Sequence, residues 1–258
     1  FDAAYTNAFI ARESYFSHNT NSAGPAYGIY CNNCISGELI NCRNNNNTGL
    51  CHGAGTYLVT CTNIRIIECA CTQNMTTSTT GDCAAYGIYL ENCTSVACES
   101  SLTGAELCLS GSAYGIYAEN SIGIGVKNTI CAEHIGGYLA SCISFINGTH
   151  LILVENTLEG CTALTGTAYG IEIRNGSLSS VRNNTILNNS GASAFGILDD
   201  GEPSDNVYIS NYAFHNGINY SITYTGGVTL PVVEGSLAGP PGLPTNTGGI
   251  LDNISINI

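Results

Sequence analysis

Acidic side chains are concentrated in one short segment of this 258-residue chain, which is otherwise poor in charge. Asp199, Asp200, Glu202 and Asp205 place four carboxyl groups within seven positions. Carboxylate oxygens grouped in this way can bind Ca²⁺, and two carboxyl groups that flank a glycosidic bond can catalyse its hydrolysis. A turn that is simply solvated needs neither ligand nor substrate. The sequence favours the solvated turn and leaves a calcium loop and a catalytic pair as alternatives.

Other residue types that carry out catalysis do not form a recognisable pattern. The five histidines share no metal-ligand spacing. No G-x-S-x-G, P-loop or H-E-x-x-H motif occurs in the sequence. The sequence therefore predicts no catalytic residue, no metal site and no cofactor, apart from the calcium alternative, and indicates a protein that is not an enzyme.

Cysteine is unusually frequent, with fourteen residues. Cys31 and Cys34 form a C-x-x-C pair, but no second pair follows at zinc-finger spacing. An oxidising compartment, where disulfides form, accounts better for this number of cysteines. We expect some disulfides together with free thiols in the core.

The overall composition excludes several functions. The net charge is −13 with only six Lys and Arg, which argues against nucleic acid and against an anionic membrane surface. No run of eighteen apolar residues occurs, so no membrane-spanning segment is predicted. Hydrophobic residues make up 44%, enough for a buried core. The first residue is Phe1 rather than Met, which suggests a processed form or a fragment without a signal peptide.

An internal repeat organises most of the chain. Ala-Tyr-Gly-Ile begins at residues 26, 85, 113 and 168, and Ala-Phe-Gly-Ile begins at 194. Thr56-Tyr57-Leu58-Val59 and Gly137-Tyr138-Leu139-Ala140 fill the gaps as degenerate copies, giving a mean spacing of about 28 residues. Alternation along a strand predicts that the aromatic residue and the apolar residue two positions later lie on one face.

A second motif keeps the same period half a repeat away. It places Asn128, Asn156, Asn184 and Asn211 at nearly the same spacing as the first motif. The apolar runs are short and are interrupted by Gly or Asn, which favours strands over helices. The two motifs together predict an all-β solenoid of parallel strands, with about seven to eight turns of about 28 residues.

Segments such as GIYLENC, GIYAENS and VRNNTILNN resemble repeats of the right-handed parallel β-helix superfamily. That superfamily includes pectate-lyase-like carbohydrate enzymes and polymorphic outer-membrane adhesin-like repeats. The resemblance covers roughly residues 5–220 and implies a right-handed parallel β-helix. It implies either an adhesive protein or a carbohydrate-active one, and an enzyme of this kind would be a polysaccharide lyase or a glycoside hydrolase. The lyase chemistry needs a base among acidic groups, and the six cationic residues look scattered.

Positions relative to the repeat predict which residues stack on adjacent turns. Cys31 with Cys61 and Cys69 with Cys98 occupy equivalent places, and stacked neighbours are close enough for disulfides. Asn tolerates the left-handed backbone of a corner and can form ladders of side-chain amides. A structural Asn ladder, rather than a row of ligand-binding amides, is predicted for Asn33, Asn63, Asn92, Asn120 and Asn175.

Nine N-x-S/T sequons occur, and exposed ones can accept glycans in a secretory pathway. Asn92 and Asn175 are poor acceptors because they belong to the predicted ladder. The remaining candidates are Asn46, Asn74, Asn147, Asn183, Asn188, Asn219 and Asn253.

The repeat divides the chain into three predicted parts. Residues 1–234 form the β-helix, residues 235–249 a Pro/Gly-rich linker, and residues 250–258 a final strand with alternating apolar residues Ile250, Ile254, Ile256 and Ile258. Such a strand can add to a neighbouring subunit, and uncapped solenoid ends can stack head to tail. We therefore expect a secreted structural or adhesive protein, such as a self-assembling filament subunit, whose partner is another copy of itself or a cell-surface glycan. The alternative is a carbohydrate-active enzyme or carbohydrate-binding module.

Overall fold

The structure is a computed structural model that describes residues 1–79, 83–200 and 205–222. Every named element in these ranges is a β-strand, and every pairing between strands is parallel. No helix in the described residues is long and apolar enough to cross a bilayer. The predicted 235–249 linker and 250–258 strand, with Ile250, Ile254, Ile256 and Ile258, lie outside the described residues.

Four parallel sheets run along the solenoid, and each strand pairs with its equivalent in the next coil. The nine-stranded sheet contains β1 (Asp2–Ala4), β4 (Ala26–Asn32), β7 (His52–Val59), β11 (Ala84–Glu91), β15 (Ser112–Glu119), β19 (Leu139–Ile146), β23 (Thr167–Arg174), β26 (Ser193–Asp199) and β29 (Ile218–Ile222). The eight-stranded sheet contains β2 (Phe9–Arg12), β5 (Gly37–Ile40), β8 (Thr62–Ile67), β12 (Thr94–Glu99), β16 (Ile122–Lys127), β20 (Thr149–Val154), β24 (Ser180–Arg182) and β27 (Val207–Ile209).

Two six-stranded sheets complete the coil. One contains β9 (Ala70–Thr72), β13 (Leu102–Gly104), β17 (Ile130–Ala132), β21 (Thr157–Glu159), β25 (Thr185–Leu187) and β28 (Tyr212–Phe214). The other contains β3 (Thr20–Asn21), β6 (Thr48–Gly49), β10 (Met75–Thr76), β14 (Leu107–Cys108), β18 (Ile135–Gly136) and β22 (Thr162–Ala163). The predicted fold, a parallel β-helix whose coils follow the sequence repeat, is confirmed.

The two degenerate copies of the repeat lie three residues away from their predicted places. Ala54, not Tyr57, pairs with Tyr27 and Tyr86. Ser141, not Tyr138, pairs with Tyr114 and Tyr169. The prediction matched aromatic residues to one another, whereas two coils carry a small residue at this position.

The tyrosine and isoleucine of each repeat lie on opposite faces, so the prediction of one shared face was wrong. Ile29 and Cys31 point into the main core, while Tyr27 and Tyr30 belong to a separate aromatic cluster outside it. Gly28 and Ile29 are buried in succession, which interrupts the regular alternation of inward and outward side chains along this strand. A Cβ at Gly28 would lie 2.6 Å from the Phe16 carbonyl oxygen, so only glycine fits there.

The cysteine pairs predicted to form disulfides are not stacked neighbours. Cys31 pairs with Leu58, and Cys98 pairs with Ile66. Cys61 instead lies between Cys34 and Cys93, and the backbone N–H of Cys42 lies against the Cys69 sulfur. All fourteen cysteines are thiols in the structure, and the predicted pairs failed because they depended on the misplaced degenerate copies.

Four of the five asparagines predicted as a ladder share one corner of the coil, but the predicted amide bonds between coils do not link Asn33, Asn92 and Asn120, since Asn33 Nδ2 donates to Asn32 and Asn92 Nδ2 to Glu91. Asn33, Asn92, Asn120 and Asn175 all have a positive φ at the end of the nine-stranded sheet, where left-handed backbone favours Asn. Asn63 is exposed in β8, and Thr60 holds the corner position of its coil. Asn147 is a further member, and its Oδ1 accepts the bond from Asn175 Nδ2 at 3.1 Å.

Buried asparagines form longer ladders of side-chain hydrogen bonds than this corner does. Asn156 Nδ2 donates to Asn184 Oδ1, and Asn184 Nδ2 donates to Asn211 Oδ1, each at 2.9 Å. All three residues are almost fully buried. The second sequence motif contains these three residues. Its first member, Asn128, lies one position before the ladder, and Thr129 occupies the ladder position of that coil.

Burial also sorts the predicted glycosylation sites. Asn147, Asn183 and Asn188 are exposed, and Asn46 and Asn219 are partly exposed. Asn74 is fully buried, where it accepts a hydrogen bond from Asn47 Nδ2 at 2.8 Å, so the folded chain cannot carry a glycan there. Asn253 lies outside the described residues.

Candidate functional site on the outer face of the nine-stranded sheet

Tyrosines cover the outer face of the nine-stranded sheet in two adjacent rows. Rings of successive coils stack within each row, with centroid separations of 4.2 Å for Tyr57 and Tyr89 and 5.4 Å for Tyr86 and Tyr114. We call this surface the tyrosine face; its members are Tyr27, Tyr30, Tyr57, Tyr86, Tyr89, Tyr114 and Tyr117. Stacking in file leaves Tyr86 and Tyr89 only 7% exposed, and hydroxyls at the edge of the face reach neighbouring carboxylates.

A row of carboxylates borders the tyrosine face. Glu91 and Glu119 pair with each other at the ends of β11 and β15. The Tyr117 hydroxyl donates to Glu119 Oε2 at 2.7 Å, and the Tyr89 hydroxyl lies 3.3 Å from Glu119 Oε1. Burial raises the pKa of both tyrosines, so they stay protonated and act as donors. The residue that follows each strand is an exposed corner asparagine, Asn92 or Asn120.

The pattern changes at β19 and β23, where the tyrosine rows give way to a polar cluster. Ser141 and Ser144 occupy the two tyrosine positions of β19, and Glu172 occupies the second one in β23. The Ser144 hydroxyl donates to Glu172 Oε2 at 2.6 Å, and Arg174 Nε donates to Glu172 Oε1 at 2.6 Å. We call Ser144, Tyr169, Glu172, Arg174 and Asp200 the Glu172 cluster.

Arg174 holds this cluster together. Its Nη2 donates to the Tyr169 hydroxyl at 2.9 Å, and its Nε lies 3.9 Å from Asp200 Oδ2. The side chains of Arg174 and Asp200 are 41% and 43% exposed, whereas that of Glu172 is 3% exposed. The cluster therefore offers solvent a guanidinium and a carboxylate above a buried carboxyl group.

Burial raises the pKa of Glu172, while the hydrogen bond from Ser144 and the charge of Arg174 act in the opposite direction. A carboxyl group in this setting can hold a proton or accept hydrogen bonds. The Glu172 cluster thus places hydrogen-bonding groups beside the tyrosine face.

The predicted acidic segment divides between the inside and the outside of the solenoid. Asp199 is fully buried and accepts hydrogen bonds from Asn206 Nδ2 and the Tyr208 hydroxyl, both at 2.8 Å. Asp199 therefore belongs neither to a solvated turn nor to an exposed calcium loop. Asp200 joins the Glu172 cluster, Asp205 is exposed, and Glu202 lies outside the described residues.

Sequence reasoning missed Glu172 and Arg174. It treated Arg174 as one of six scattered cations, although Arg174 lies among acidic groups. The repeat did contain a signal, because Arg174 occupies the same position in its coil as Glu91 and Glu119 do in theirs.

Replacing Glu172 by glutamine is expected to change how stability depends on pH. The folded pKa of Glu172 is raised above its unfolded value, so the folded state holds the proton more tightly. The contribution of Glu172 to the free energy of unfolding is greatest below its ordinary pKa, about 4.3. That contribution is lost as pH rises through the folded pKa. Urea unfolding between pH 4 and pH 8 should show a smaller loss of stability with rising pH in Glu172→Gln than in the wild type. Glu155→Gln, at an exposed acid, should behave like the wild type; parallel curves for all three proteins would contradict the assignment.

Comparison with known proteins agrees with this architecture. Residues 74–237 match the family model of the right-handed β-helix region, and the chain belongs to this family. No curated protein matches the sequence.

Solved structures share the fold at low identity. The chain is similar to the Streptococcus pneumoniae surface protein and adhesin PfbA, with 9% identity and a TM-score of 0.44 over 71% of this chain and 53% of that one. It is also similar to a mutant of the periplasmic alginate epimerase AlgG, with 10% identity and a TM-score of 0.44 over 92% and 74% of the two chains. A DFA-IIIase mutant from Arthrobacter chlorophenolicus A6 gives 16% identity and a TM-score of 0.30 over 81% and 50%. The chain thus spans about half the length of the adhesin, and at these identities the likenesses assign no function.

Proposed function

We propose that the protein is an extracellular carbohydrate-binding β-helix, with an adhesive role, whose ligand is a neutral polysaccharide lying along the outer face of the nine-stranded sheet. The observation that carries this proposal is the repetition of the same polar groups in register. Tyrosine hydroxyl, carboxylate and corner amide recur on β11 and β15 at the spacing of adjacent strands, about 4.8 Å. A polymer that repeats its own hydroxyls along its length can make the same contacts in successive coils.

The Glu172 cluster supplies the groups that would distinguish one sugar from another. Arg174 donates and Asp200 accepts, and both are partly exposed while Glu172 beneath them is buried. Fixing an exposed pair against a buried group lowers the entropy lost on binding. The corner amide of Asn175 follows Arg174 in the chain, and its Nδ2 donates to Asn147 Oδ1 in the preceding coil.

Charge favours a neutral ligand over a polyanionic one. The chain carries a net charge of −13, and the candidate site contains Glu91, Glu119 and Asp200 against the single guanidinium of Arg174. Like charges at an interface reduce the rate and strength of association. Acidic polysaccharides should therefore bind more weakly than neutral ones.

Binding can be measured by retardation in gels that contain neutral glucans, mannans or xylans, with alginate and pectate as acidic counterparts. Asp200→Asn combined with Glu119→Gln removes two carboxylate acceptors, and we expect its Kd to rise about tenfold, corresponding to about 1.4 kcal/mol. Glu155→Gln is the matched control, since this acid is 50% exposed and lies in another part of the coil. The proposal fails if no neutral polysaccharide retards the protein, or if the double variant binds as well as the control.

One observation favours a glycoside hydrolase as the second candidate. The buried carboxyl group of Glu172, with its raised pKa, and the exposed carboxylate of Asp200 both face Arg174. Two carboxyl groups in unlike environments are the usual requirement for acid–base hydrolysis of glycosides. Assays for new reducing ends, with the same polysaccharides, separate the two functions: turnover that disappears in Glu172→Gln supports the enzyme, and binding without turnover supports the binding module.

A further inference from the structure

A column of inward-pointing polar residues runs beside β3, β6, β10, β14, β18 and β22. We call it the asparagine column, because Asn occupies five of its eight positions: Asn19, Asn47, Asn74, Asn189 and Asn216. Asparagines in successive coils bond to each other, as Asn47 Nδ2 does to Asn74 Oδ1 at 2.8 Å. The three consecutive positions without Asn hold Glu106, His134 and Cys161. All three replacements are residue types that ligate or orient metal ions.

These three residues meet a second cysteine from the opposite side of the coil. Cys142, in β19, has its Sγ 2.7 Å from Cys161 Sγ. An imidazole nitrogen of His134 and the two sulfurs all lie within 4.8 Å of one another. His134, Cys142, Cys161 and Glu106 are fully buried, so the cluster is closed off from solvent.

The imidazole of His134 is not satisfied by its neighbours. Its Nδ1 lies 2.6 Å from Glu106 Oε2, but the two are not aligned as a regular hydrogen bond, and Nε2 has no partner among the described residues. An unpaired buried polar group destabilises the folded state.

The two sulfurs lie 2.7 Å apart, close enough to form a disulfide or, after a small movement of the side chains, to share one metal ion. A disulfide would explain the sulfurs alone. A shared metal ion would also give a role to the unpaired imidazole and to the carboxyl group behind it.

We propose that His134, Cys142 and Cys161 form a structural Zn²⁺ site, in which Glu106 orients the histidine. His134 Nε2 and the two thiolates are the protein ligands, and Glu106 lies beside Nδ1, where carboxylates commonly orient zinc-bound histidines. Binding releases the two thiol protons to solvent. With Zn–S distances of about 2.3 Å, the sulfurs move apart by about 1 Å. Soft sulfur ligands with one imidazole favour zinc over calcium or magnesium.

The metal would link two neighbouring coils to each other and would link two opposite walls of one coil. His134 and Cys161 belong to neighbouring coils, while Cys142 and Cys161 face each other across the interior. The metal would replace hydrogen bonds that the asparagine column makes elsewhere.

The test uses the whole chain, purified with reductant and Zn²⁺ and then desalted. Zinc is counted by mass spectrometry and again by release with a thiol-blocking mercurial in the presence of a colorimetric chelator. We expect about one Zn²⁺ per chain. Cobalt substituted for zinc should give the visible absorption of a thiolate-bound metal.

Two variants restore the residue that the column uses in other coils, His134→Asn and Cys161→Asn, so a folded chain is expected from both. Each should lose stoichiometric zinc and the cobalt absorption, as should Cys142→Ser, while Glu106→Gln should weaken zinc affinity about 10–100-fold. Cys98→Ala removes a buried cysteine outside the cluster and should keep one zinc. The proposal is overturned if the reduced wild type binds no zinc, if zinc persists in His134→Asn, or if mass mapping finds Cys142 joined to Cys161 in zinc-treated protein.

Discussion

Replacing Asn184 by alanine is expected to destabilise the folded chain strongly, because at least two buried groups lose their partner at about 1–3 kcal/mol each. Asn184 Oδ1 accepts from both the side chain and the backbone N–H of Asn156, and its Nδ2 donates to Asn211 Oδ1 and to the Leu153 carbonyl. Urea unfolding measures the change in the free energy of unfolding. Hydrogen exchange locates that change among the coils, since solenoids do not always unfold in one step.

Arg182→Ala supplies the control for Asn184. Arg182 is exposed in the strand just before the ladder, and its loss should change stability by no more than about 0.5 kcal/mol. Equal effects of the two substitutions would show that the buried ladder contributes little.

Replacing Phe145 by alanine is the second large effect, and we expect a loss of about 3–5 kcal/mol. Phe145 is fully buried between Ala118 and Ile173 of the adjacent coils. Its ring occupies space left by Gly148, where an added Cβ would overlap Phe145 Cζ. The neighbours are held by sheet hydrogen bonds and cannot close the cavity that alanine leaves.

Two further variants separate this cavity from a general effect of losing an aromatic ring. Phe145→Leu keeps most of the volume and should cost less than Phe145→Ala. Tyr138→Ala removes a ring that is 59% exposed and should leave the urea midpoint nearly unchanged. If Phe145→Ala and Tyr138→Ala gave similar midpoints, the packing described for Phe145 would be wrong.

The fold could be predicted because the repeat marks both the period and the strand type. Five good copies of one motif and a second motif at the same spacing fix the length of a coil. The two poor copies could not be placed, because a column tolerates a small residue where its neighbours have tyrosine. Ala54 and Ser141 take those positions, and the three-residue error carried over to Asn63 and to the predicted cysteine pairs.

The candidate site was harder to predict than the fold for a related reason. Glu172 takes the place that tyrosine holds in other coils, and Arg174 the place of a glutamate. Recognising these two residues from the sequence requires the register of β19, which lies in one of the misplaced coils. Asp199 and Asp200 are adjacent in sequence, yet one is buried and the other exposed, a difference that follows from the direction of each side chain at the end of β26.

The stacked register also determines how the chain can reach its native state. Backbone partners in adjacent coils are separated by a single coil of chain, as for Tyr30 with Tyr57 and Tyr57 with Tyr89. Each coil needs only the preceding one as a template, so loop closure involves short chain segments. A chain that emerges amino terminus first during synthesis can therefore fold in the order in which it appears. Each completed coil would then pair with the residues of the next one. A substitution such as Phe145→Ala would slow folding at that coil and leave the coils before it folded.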